Sequence, residues 1–202
     1  CVLGLMCGDA LGAAVEGFDR HEILKVAQEH CNGDAELRDF IPAVHMGSFV
    51  ANPDPDLINA PPVPARSVTD VRFLPTGPPS KPSWAAAVRY GHYTDDTNAC
   101  LALATSLVEQ QALDGAHAAK TYSVFWQTEP IRGYPPTAKA VMQAILDGAD
   151  YRKTGQPPYF QFTGGSFANG GAMRISPLSI AYRNATAPAL RAACAEAIRS
   201  SH

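Results

Sequence analysis

Apolar residues recur at helical spacing over most of this chain, and one long stretch breaks the pattern. Residues 2–15, "VLGLMCGDALGAAV", predict a small-residue helix on which Gly4, Gly8 and Gly12 return every fourth position along one face. Glycine lowers helix propensity, so this spacing predicts a buried helix that another backbone approaches closely, or a site that needs the room. Asp19 and Glu22 stand three apart, the arrangement of a capping box with Asp19 as N-cap, and open a helix through "EILKVAQEH". Further helices are expected near 95–112, 114–127, 136–148, 171–183 and 187–200. Within "AKAVMQAIL", Ala138, Val141 and Ile145 share one stripe. No alternating run is long enough to predict a strand, so the expected fold class is all-α, a compact helical bundle.

The pattern fails from Pro42 to Pro82, which hold ten of the 17 prolines, in "NPDPD", "APPVPA" and "TGPPSKP". Proline removes a backbone donor and clashes with the preceding helical turn. This stretch, about 42–82, therefore reads as an insert within one domain that spans 1–202. The last predicted helix runs into Ser200-Ser201-His202 without a tail, which reads as a truncated domain.

Composition narrows the function classes. At 46% apolar residues over 202 positions, the chain can bury a substantial core. A net charge of −3 argues against an extended nucleic-acid-binding surface, which needs clustered Lys and Arg. A membrane span needs about 18 or more consecutive apolar residues, and no such run exists. The 5 cysteines form no C-x-x-C pair and the 6 histidines show no zinc spacing, so reduced thiols in a cytoplasmic compartment and no zinc site are expected.

Three segments carry candidate chemistry. In "YTDDTNAC", Thr94, Asp95, Asp96 and Thr97 stand where a helix begins. One reading is purely local: Thr94 is the N-cap, and acidic residues in the first turn gain from the helix dipole. The other is a site for a hard cation such as Mg²⁺ or Mn²⁺, which takes hydroxyl and carboxylate oxygens. In "GDALGAAVEG", Asp9 and Glu16 are seven apart, within about 20° of one helix face. They are either a carboxylate pair that needs cations or hydrogen bonds, or a capping Asp and a solvated Glu. In "TGGSFANGGAMRISPL", glycines and Asn169 lead into a helix, which suits a backbone cradle for phosphate but also an ordinary turn. No Lys follows in Walker order, so a P-loop is not indicated. Arg174 is positioned to pair with an anion or with a helix end.

Taken in order, "GDALGAAVE", "YTDDT" and "GSFANGGAMR" resemble the ADP-ribosylglycohydrolase family, of the dinitrogenase-reductase-activating type. The third motif is similar to the branch that cleaves serine-linked and poly-ADP-ribose. The resemblance implies an orthogonal all-α bundle with two divalent cations, Mg²⁺ or alternatively Mn²⁺, in a cleft. By that resemblance Thr94, Asp95 and Asp96 are metal ligands and Glu16 is the catalytic carboxylate. Gly165, Ser166, Phe167, Asn169 and Gly170 match the loop that holds diphosphate and distal ribose, and His202 falls near the adenosine. The implied substrate is an ADP-ribosylated protein or related ADP-ribose conjugate, handled by a monomer. One departure stands out: the family completes its metal shell with a later Asp-rich segment, and no Asp follows Arg174 here. The expected function is metal-dependent release of ADP-ribose. The alternative is a catalytically inactive, crystallin-like structural homologue.

Overall fold

The computed structural model describes residues 2–15, 18–31, 33, 93–130, 132–160 and 166–201. Among them every regular element is helical, and the fold is all-α, as expected. The chain forms two compact units: Cys1–Met6 with Thr94–His202, and Cys7–Tyr93. The proline-rich stretch at 42–82 lies outside the described residues.

The first helix, α1 (Val2–Gly12), continues as a 3₁₀ turn, Ala13–Val15. It departs from expectation. No α1 residue is buried, and a Cβ placed at Gly4, Gly8 or Gly12 would meet no described atom within 4 Å. Its apolar residues fall all round the helix, so no single stripe selects a buried face. Helix α2 (Arg20–His30) begins as predicted. The Asp19 carboxylate accepts from the Glu22 N–H at 2.9 Å, and the Glu22 carboxylate accepts from the Asp19 N–H at 2.8 Å. A small core of Val15, Val26 and Cys31, with Phe18 and Ile23 against it, packs α2 on the 3₁₀ turn.

The other unit contains α3 (Asp95–Gln110), α4 (Gly115–Thr128), α5 (Pro136–Leu146), α6 (Gly170–Arg174), α7 (Ser176–Ala181) and α8 (Ala187–Ile198). Helix α3 lies at its centre, against α4, α6 and α7; α4 also meets α5 and α8. The core is Leu103, Leu107 and alanines of α3, Ala118 and Tyr122 of α4, Leu178 of α7, and Ala193 and Ala197 of α8. Alanine at these contacts lets the helix axes approach closely. The single helix expected over 171–183 is instead two short ones, broken at Ile175. Pro177 has no N–H to give to the carbonyl one turn earlier, and the chain there tightens to an Ile175 N–H to Ala172 C=O bond of 3.4 Å. Helix α3 stops at Gln110 because Gln111 takes a left-handed conformation, φ 56°. Among the described residues no helix is long and apolar enough to cross a membrane.

One close approach depends on glycine. A Cβ on Gly115, the first residue of α4, would lie 2.8 Å from the Tyr151 hydroxyl and would collide with the Glu196 carboxylate. That room lets the Tyr151 hydroxyl donate to Glu196 at 2.5 Å. Arg199 donates to the same carboxylate at 2.8 Å. The Tyr151 bond, then Arg199, hold the Glu196 carboxyl below its usual 4.5 despite partial burial. Burial and the neighbouring Glu196 push Tyr151 up to about 12.

Two outcomes are expected. Leu103 is fully buried, so Leu103→Ala should cost about 2–5 kcal/mol in urea unfolding; a cost under about 1 kcal/mol would mean that α3 is not the centre of this core. A lowered carboxyl stabilises the fold above its unfolded value of 4.5, and that contribution is lost as pH falls through the folded value. The stability gap between the parent and Glu196→Gln should therefore be widest near neutrality and shrink in acid. A gap that is independent of pH would rule out the ionised Tyr151–Glu196–Arg199 cluster.

Candidate functional site

The Thr94-Asp95-Asp96 segment begins α3, and its local geometry follows from helix capping. Thr94 is extended and buried, with its hydroxyl accepting from the Asp96 N–H at 3.4 Å and donating to the Asp96 carboxylate at 3.2 Å. Its carbonyl accepts the first helical bond, from the Asn98 N–H, at 3.1 Å. Asp95 and Asp96 occupy the first turn and are half-buried. The local reading of this motif is thus present in the structure. The same atoms form a set of hard oxygen donors, one hydroxyl and two carboxylates within one helical turn. That chemistry fits a hard divalent cation. Among the described residues no group of three His, Cys, Asp or Glu could complete a shell.

Below this turn lie two buried polar groups that the sequence reading did not single out. Asn98, 1% exposed, accepts at its amide oxygen from the Tyr134 hydroxyl at 2.8 Å. Burial first, and then the negative charge of Asp95, push Tyr134 well above its ordinary 10. The phenol therefore stays protonated and remains a donor. Tyr134 lies on the link between α4 and α5, which also buries an ion pair: Arg132 Nε donates to the Glu129 carboxylate, with the side chains 3% and 8% exposed. Asn98 could have been noticed, since it stands three and four residues beyond Asp95 and Thr94. Tyr134, in "RGYPP", carries no local signal.

The glycine-rich segment enters α6. Ser166 is half-buried, whereas Phe167 is 86% exposed. The Ser166 hydroxyl accepts from the Ala168 N–H at 3.1 Å, a side-chain-closed turn. The Ser166 N–H donates to the Ser201 carbonyl at 3.1 Å. Two loop N–H groups are therefore engaged within the protein, which departs from a cradle with every N–H turned to a ligand. Asn169 is exposed, and its carbonyl accepts from the Met173 N–H at 2.9 Å, which starts α6 at Gly170. Arg174 resolves to the helix-end alternative: it reaches the Ile198 carbonyl and the Ser201 hydroxyl beyond α8.

Packing of α3 against α6 brings the Thr94-Asp95-Asp96 helix and the helix entered by the glycine-rich loop together. The Ser166–Ser201 bond sets the loop beside the residue preceding His202. Glu16, Gly165 and His202 themselves lie outside the described residues.

The ADP-ribosylglycohydrolase profile matches residues 1–202. The chain belongs to the ADP-ribosylglycohydrolase family. It is similar to three proteins named ADP-ribosylhydrolase ARH3. With the Homo sapiens protein it is 37% identical over 92 residues, covering 45% of this chain and 25% of the relative. With the Mus musculus protein it is 27% identical over 183 residues, 90% of this chain and 38% of the relative. With the Gallus gallus protein it is 30% identical over 154 residues, 75% of this chain and 39% of the relative. These matches span 25% to 39% of the relatives' own lengths. They are consistent with the branch to which the "GSFANGGAMR" motif pointed.

Because the Tyr134 hydroxyl supplies the buried Asn98 oxygen, Tyr134→Phe should cost about 1–3 kcal/mol of unfolding free energy, the cost of orphaning a buried acceptor. An unchanged urea midpoint and slope would show that Asn98 does not depend on Tyr134.

Proposed function

We propose that the protein to which this chain contributes is a metal-dependent hydrolase that releases ADP-ribose from a modified protein or related conjugate. The observation that carries this reading is the family match over 1–202, with Thr94, Asp95 and Asp96 starting a helix that packs on α6. In this reading Thr94 contributes its hydroxyl, and Asp95 and Asp96 their carboxylates, as ligands of two divalent cations, Mg²⁺ or Mn²⁺. When bound, such ions supply Lewis-acid stabilisation of developing negative charge. Glu16 takes a proton from the attacking water. The water oxygen bonds to the anomeric ribose carbon, the bond from that carbon to the acceptor breaks, and the acceptor leaves carrying a proton. The Gly165–Gly170 loop holds the diphosphate and distal ribose. Phe167, almost wholly exposed, offers a face for stacking, and His202 lies by the adenosine.

An inactive homologue of the same fold is the second reading. Release of ADP-ribose from a modified protein, measured on the full-length protein, decides between the two.

Asp95→Ala and Asp96→Ala should each sharply weaken Mg²⁺ and Mn²⁺ binding in calorimetry while circular dichroism stays helical, because each removes a charged oxygen ligand. Affinities equal to the parent's in both variants would leave these residues with capping alone. In the full-length protein, Glu16→Gln should lower turnover roughly 10²–10⁴-fold with ADP-ribose affinity retained, as expected for loss of proton transfer. Parental turnover would remove Glu16 from the mechanism.

A further inference from the structure

The carboxyl end of α8 is capped both locally, where the Ser201 N–H donates to the Ile198 carbonyl at 3.0 Å, and by distant side chains. The Tyr122 hydroxyl donates to the Ala197 carbonyl at 3.3 Å, and Thr154 donates to the Ser200 carbonyl at 2.6 Å. Arg174 Nη2 donates to the Ile198 carbonyl at 3.4 Å and to the Ser201 hydroxyl at 2.9 Å. The Ser166 N–H takes the Ser201 carbonyl at 3.1 Å. One residue, Ser201, thus joins the guanidinium through its side chain and the glycine-rich loop through its backbone.

Arg174 itself is 8% exposed, and its guanidinium carbon lies 4.4 Å from the centroid of the Tyr122 ring. Its Nη2 is bonded to one helix-terminal carbonyl and one hydroxyl and its plane is stacked on an aromatic face, so the charge is partly compensated, while the buried Nε has no hydrogen-bond partner among the described residues. The guanidinium is also shielded from an anion arriving from solvent. The placement is that of a strut.

From this geometry we infer that Arg174 is a positioning residue for the anion loop. It fixes Ser201, Ser201 fixes the Ser166 backbone, and the Ser166–Gly170 segment is thereby held ready for diphosphate. The assignment of diphosphate to that loop rests on the function proposed above; the coupling of Arg174 to Ser166 does not. Arg174 then contributes to ligand affinity without touching the ligand.

The test uses the full-length protein in Mg²⁺ buffer, with amide exchange at Ser166 read by NMR and ADP-ribose affinity read by calorimetry. Arg174→Gln and Ser201→Ala should each speed Ser166 exchange and weaken ADP-ribose binding roughly tenfold, the scale of one hydrogen bond to a charged group. The double variant should be no weaker than Arg174→Gln alone, since both changes break one linkage. Ser201→Ala removes a single hydroxyl, so it reports even where Arg174→Gln does not fold. Unchanged Ser166 exchange in Ser201→Ala overturns the inference. So does parental ADP-ribose affinity in Ser201→Ala together with a loss in Arg174→Gln, which would make Arg174 a direct anion ligand. A full-length parent protein that shows no ADP-ribose binding would instead defeat the ligand assignment, and the exchange measurement would still decide the coupling.

Discussion

A helix at the centre of a core ordinarily buries only apolar groups, but α3 also buries Asn98, Cys100 and Ser106, and each must find a partner. The partners come from three different elements. Tyr134, on the link before α5, donates to Asn98. Ser176 of α7 shares a 3.2 Å hydrogen bond with the Cys100 thiol, which burial pushes up and keeps protonated. His117 of α4 shares a 2.9 Å hydrogen bond with Ser106. Apolar contact alone tolerates sliding and rotation of one helix over another. Three discrete polar matches along one helix do not, because a shift that breaks any of them leaves a buried group unsatisfied at about 1–3 kcal/mol. The orientation of α3, and so of the acidic turn at its start, is set by these pairs.

The signals legible in the sequence were the local ones. The capping box of Asp19 and Glu22 and the N-cap at Thr94 involve residues within one turn, and both are present. Periodicity placed the helices of the larger unit, with ends displaced by a few residues where Gln111 and Gly148 turn to positive φ. Pro177 was visible in the motif, yet an apolar pattern running through it suggested one helix where there are two. The small-residue run of α1 does not mark a buried helix, because glycine spacing reports only room for a neighbour, and no described atom takes that room.

The candidate site divides along the same line. Its motif residues were found because they are contiguous. The groups that support them were not, since Asn98 and Tyr134 are 36 residues apart and Arg174 and Ser201 are 27 apart. Such pairs become visible only when packing brings two segments together. The family resemblance named the candidate ligand-facing residues, and the geometry shows what holds Thr94 and Ser166 in place.

The double use of Thr94 has an evolutionary consequence. Its hydroxyl both closes the first turn of α3 and belongs to the candidate ligand set. Drift at this position is penalised through folding even where the chemistry is no longer under selection. In a lineage that had lost catalysis, Thr94 would outlast residues whose only task was chemical. Persistence of the threonine would therefore record the need for a well-formed helix start, and on the proposed reading Asp95, which takes no part in the Thr94–Asp96 bonds, is the more sensitive record of retained activity.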